Sequence, residues 1–156
     1  MYVLCMSTLA DGAGERARYD SLQDETDALR ARVTLVEPGI VLWCEPPHST
    51  VARLTTMFER YCELCDPTTP SATIADVRDS RRGSPGVRAK AAEFARVVTG
   101  RVHVSTLVGN NLLLYVGMRM MGVRAPLSSQ SYHRDYESAL AVARSKLMAA
   151  ASTRQR

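Results

Sequence analysis

No stretch of this 156-residue chain approaches the roughly 18 consecutive apolar residues that a membrane-spanning helix needs. Lysine is scarce as well: only Lys90 and Lys146 are lysines among 20 Lys and Arg residues. The arginines are spread along the whole chain, and arginine in place of lysine can reflect genome composition, so the net charge of +4 and pI near 9.1 argue only weakly for an anionic partner. A nucleic-acid partner is therefore not expected. The opening Met1-Tyr-Val-Leu-Cys-Met6 is apolar, but too short and without the basic start of a signal peptide. Met6-Ser-Thr is a natural alternative beginning. With no export signal, the four cysteines (Cys5, Cys44, Cys62 and Cys65) are expected to stay reduced in a cytoplasmic protein.

Catalytic and metal signatures are missing too. There is no Gly-x-Ser-x-Gly, no phosphate-loop glycine pattern and no dinucleotide fingerprint. His48, His103 and His133 share no metal-binding spacing. Cys62-Glu-Leu-Cys65 has the spacing of a redox or zinc pair. It falls at the end of a predicted helix, where the dipole disfavours a thiolate, and zinc would need a second pair. Both cysteines are read as small buried residues of a helix face. Neither a metal nor a cofactor is expected, and the chain reads as a binding domain without catalysis.

What is present is an ordinary globular composition, 46% apolar and 23% charged, in a length that suits one domain with a proper core. Residues 1–31 read as a tail with a short helix, for which Ser21 is a cap candidate and Asp24 stands three residues on. From residue 32 the pattern sharpens. Residues 33–36 and 40–44 are strand-like and flank Glu37-Pro-Gly39, which is turn chemistry, so they predict a hairpin. Ser49 or Thr50 caps a helix with Val51, Leu54, Phe58, Tyr61 and Cys65 along one face. Residues 72–77 form a buried-type strand. An arginine-rich loop leads to Ser84-Pro85, a good cap followed by proline at the first helical position. That helix should bury Val87, Ala91, Phe94 and Val98.

Residues 102–108 predict another strand, and Gly109-Asn-Asn111 leads into a strongly apolar helix at 112–121. A fifth strand is expected at 127–132. Asp135 then caps a last helix with Tyr136, Leu140, Ala143 and Leu147 turned inward, and 149–156 reads as a frayed end. The order β-β-α-β-α-β-α-β-α predicts a single α/β domain over 32–148. Its sheet is mixed and mostly parallel, with about five strands, an N-terminal hairpin and four main helices.

Three stretches carry a family resemblance: the opening hairpin, the strand Ile74-Ala-Asp76-Val77-Arg78 leading to the capped helix at Ser84, and the ending Tyr132-His-Arg-Asp135-Tyr-Glu137-Ser-Ala139-Leu140. Together they resemble the STAS superfamily of anti-sigma-factor antagonists, in particular its SpoIIAA-like branch, which is related to Sec14 (CRAL-TRIO) domains. The resemblance implies a bacterial regulatory domain that works by protein–protein interaction. Phosphorylated antagonists place Asp-Ser-Ser-Gly at the start of the second main helix, where this chain has Gly83-Ser84-Pro85-Gly86. Counted from Asp76, Ser84 takes the motif's aspartate position and Pro85 that of the phosphorylated serine. A one-residue slip would make Ser84 the phosphorylation site. The tryptophan common in the last SpoIIAA-like helix is replaced by Val142.

Two surfaces are the candidates for contact. The loop with Arg78, Asp79, Arg81, Arg82 and Ser84 lies beyond the carboxyl end of a strand and feeds a helix start, a place suited to a partner or an anion. Its structural alternative is a solvated loop with Ser84 acting only as a cap. The helix at 112–121 is apolar nearly all round, with Arg119 its one charge. Leu112, Leu113, Tyr115 and Val116, with Met118, Met120 and Met121, suit a partner or homodimer interface, or a deeply buried helix. The Sec14 kinship adds a second class of function: a domain that binds or senses a small apolar ligand or lipid near Leu113, Met118 and Met121.

Overall fold

Glu37, Pro38 and Gly39 set the geometry from which the sheet grows. Proline fixes its own φ, and Gly39 adopts φ +79°, a left-handed conformation that a side chain rarely tolerates. A Cβ there would also stand 3.1 Å from Leu147 Cδ2 and 3.3 Å from the Pro70 carbonyl oxygen. The turn closes an antiparallel hairpin between β1 (Val33–Glu37) and β2 (Ile40–Cys44), with an irregularity between Leu35 and Glu37.

The computed structural model describes residues 22–66, 68–81, 83–99, 102–109 and 130–154. Its remaining elements, in chain order, are α1 (Leu22–Ala31) before the hairpin, then α2 (Val51–Leu64), β3 (Ser71–Asp76), α3 (Pro85–Thr99), β4 (Val102–Val108), β5 (Gln130–His133) and α4 (Tyr136–Arg154). The described strands form one sheet in the order β1-β2-β3-β4-β5. β2–β3, β3–β4 and β4–β5 are parallel, and β1–β2 is antiparallel. Parallel neighbours need long crossovers, and α2 and α3 supply those on either side of β3.

Strand alternation divides the core between the two faces of the sheet. On one face Ile40, Ala72 and Ile74 pack against Ala139, Leu140 and Ala143 of α4, with Tyr136 and Leu147 partly buried beside them. The two alanines let α4 approach the strands closely. On the other face Val33 and Val41 pack against Met57 and Tyr61 of α2, Cys65 just after it and Leu29 of α1. Tyr61 is buried, yet its hydroxyl lies 2.9 Å from Thr73 Oγ1, so the polar tip is satisfied. Burial pushes its phenol far above the usual value.

Several expectations shift here. The inward positions of α2 are Leu54, Met57 and Tyr61, whereas Val51 is 44% exposed. Phe58 is turned toward α3 and stacks on Phe94, with ring centroids 4.0 Å apart. In α3, Val87 is buried and Phe94 stacks on Phe58 of α2, but Ala91, expected on the same inward face, is exposed. α4 runs on to Arg154, past the expected fraying at 149. Ala149, Ala150 and Ala151 are the best of helix formers, and no glycine or proline stops them. α1 is tied to the domain by Leu29, by Arg53–Glu25 at 2.9 Å and by Arg30–Glu63 at 2.6 Å. Residues 1–21 and the helix expected at 112–121 lie outside the described residues, as do 127–129 of the expected fifth strand. No helix among the described residues is long and apolar enough to cross a membrane.

Candidate functional site: the rim at the carboxyl ends of the strands

Two strand-to-helix loops meet at the carboxyl end of the sheet. The first joins β2 to α2 and the second joins β3 to α3. They are held together by main-chain bonds: Glu45 N–H donates to the Asp76 carbonyl (2.8 Å) and Arg81 N–H donates to the Pro47 carbonyl (3.3 Å). The first turns of the two helices are neighbours as well. A Cβ added at Gly86 would lie 3.8 Å from Val51 Cγ2.

Each helix start is capped by a hydroxyl. Thr50, in an extended conformation, accepts from Arg53 N–H at 3.2 Å. Ser84 Oγ accepts from Val87 N–H at 3.3 Å, and Pro85 opens the helix without an N–H to satisfy. Of the two caps considered for α2, Thr50 is the one used. Ser49 instead donates to a Glu45 carboxylate oxygen, and the other oxygen of Glu45 accepts from Trp43 Nε1 at 2.7 Å.

The predicted arginines have different surroundings. Arg78 folds back on Asp76 of its own strand end. Its N–H and Nε donate to Oδ1 at 3.1 and 3.0 Å, and Nη2 donates to Oδ2 at 2.6 Å. Asp76 is buried, so this clamp neutralises a carboxylate that would otherwise be stranded beneath the loop. Arg81 is exposed, with its backbone pinned to Pro47. Asp79 and Ser84 are exposed on the same loop, and Arg82 lies outside the described residues. The rim therefore brings Arg78, Asp79, Arg81 and Ser84 together, with Arg78 committed to the fold.

Arg88 completes the loop, and the sequence reading passed over it. Its Nη1 donates to the Gly83 carbonyl at 2.7 Å, tying the loop's end to the first turn of α3. A signal existed: a basic residue in a first turn opposes the helix dipole, so it needs a tertiary reason to be there. Gly83 is equally constrained, since a Cβ would stand only 2.7 Å from Val87 Cγ1. The β2–α2 loop was missed too. Arg53 Nη1 donates to the His48 carbonyl at 3.0 Å, and His48 Nε2 is buried without a hydrogen-bond partner. Nothing in the spacing of residues 45–50 announces this.

Farther along the rim, Gly109 N–H donates to the His133 carbonyl at 3.2 Å, and the Tyr132 hydroxyl donates to the Gly109 carbonyl. His133 Nε2 lies 3.0 Å from Ser131 Oγ. Asp135 caps α4, accepting from Ser138 N–H at 2.7 Å. That N–H and the Ser138 hydroxyl hold the Asp135 carboxyl below the usual carboxylate range. Cys65 is buried at the end of α2 and Cys62 packs partly buried against the same core. Among the described residues no three metal-binding side chains cluster.

No family model matches the chain, and no curated protein matches it. A solved structure does resemble it: an uncharacterised protein of the DUF3478 family from Shewanella loihica PV-4, with a SpoIIAA-like fold. The TM-score is 0.53 at 13% sequence identity, over 71% of this chain and 90% of that one. At that identity the likeness establishes the fold, an α/β domain of SpoIIAA-like type.

Proposed function

We propose that this domain is a non-catalytic regulatory module of a bacterial signalling or assembly pathway, and that it binds a partner protein at the rim around Arg81. The observation that carries the reading is the cross-pinning of the two loops. Arg81 N–H on the Pro47 carbonyl fixes an exposed arginine beside the adjoining first turns of α2 and α3. A surface fixed in advance loses little freedom when it docks. The polar groups around it have structural work: Asp76 is clamped by Arg78, Ser84 caps α3, and Glu45 accepts from Trp43 and Ser49. That division of labour supports binding rather than chemistry. The SpoIIAA-like fold supports the regulatory class by analogy alone.

The reading is tested by using the parent protein and an Arg81→Glu, Arg82→Glu variant as baits in lysate of the source cell. The expected outcome is a partner retained by the parent and lost by the variant, at nearly equal melting temperatures. Equal capture by both baits overturns the assignment of the rim.

A further inference from the structure

We draw no further inference here: the strongest candidate, the seam where the first turns of α2 and α3 adjoin beside Arg81, belongs to the site already described and rests on helix N-termini with no second observation that points to a ligand.

Discussion

Arg78 and Arg81 stand three residues apart in one loop, and removing each should have unequal consequences for the fold. The Arg78 side chain is 43% exposed, while the Asp76 side chain it holds is only 11% exposed. A fully exposed pair contributes about 0.2–1 kcal/mol, and breaking a fully buried one costs about 3–5 kcal/mol. This pair lies between those limits and nearer the first, because the arginine can rehydrate. Arg78→Gln strands a largely buried carboxylate that keeps only the main-chain N–H of residue 78, and should cost about 1–2 kcal/mol. Asp76→Asn keeps one oxygen for that N–H and should cost about 1 kcal/mol. The double variant should cost less than the sum, with a coupling near 1 kcal/mol. Arg81→Gln removes an exposed side chain and should stay within about 0.5 kcal/mol. Urea unfolding followed by circular dichroism, with unchanged slopes, measures all four. A coupling below about 0.3 kcal/mol, or an Arg81→Gln cost equal to that of Arg78→Gln, refutes the division of roles.

Ser84 carries a second expectation. A phosphate there would lie at the start of α3, where the helix dipole favours negative charge. If Ser84 is a phosphorylation site, phosphopeptide mapping of protein from its own cells should find the modification there, and an unmodified Ser84 under those conditions counts against a phosphoswitch. Asp135 yields a pH dependence. Its folded-state value is lowered, so its stabilisation is complete above the unfolded value near 3.9 and is lost as pH falls through the lower folded value. Asp135→Asn keeps a good cap without titration. Melting curves below about pH 4 should therefore fall less steeply for the variant than for the parent, and superimposable profiles would dismiss the idea. If residues 112–121 form a homodimer face, light scattering should give a dimer for the parent and a soluble monomer for Leu113→Asp. A monomeric parent ends that proposal.

Elements dictated by local chemistry are legible in the sequence. The Glu37-Pro38-Gly39 turn, the Ser84-Pro85 helix start and the Asp135 cap each bring the right residue to a position with a special backbone requirement. The faces of the helices were less legible. The spacing Val51, Leu54, Phe58, Tyr61 fits one stripe, yet Met57 is fully buried, Val51 is not, and Phe58 serves a helix–helix contact. Periodicity records that a residue is apolar, not which neighbour covers it. A helix lying between a sheet and another helix has two apolar directions, and the two merge in a one-dimensional pattern. The end of α4 went unread for a different reason. Exposed alanines give no burial signal, although they favour helix strongly.

The rim shows why a site is harder to read than a fold. An arginine-rich loop before a capped helix looks the same in sequence whether its charges wait for a partner or hold the loop itself. Asp76 decides the matter for Arg78, because a carboxylate buried at a strand end must find a cation, and the one two residues on can reach it. Arg88 also reaches back to its own loop, where one guanidinium N–H donates to the Gly83 carbonyl. Arg81 is different in kind: its main chain is fixed to the neighbouring loop while its side chain faces solvent. Anchored backbone with an exposed charged side chain is the combination a docking surface needs. For that reason the partner assay rests on Arg81 and the stability assay on Arg78.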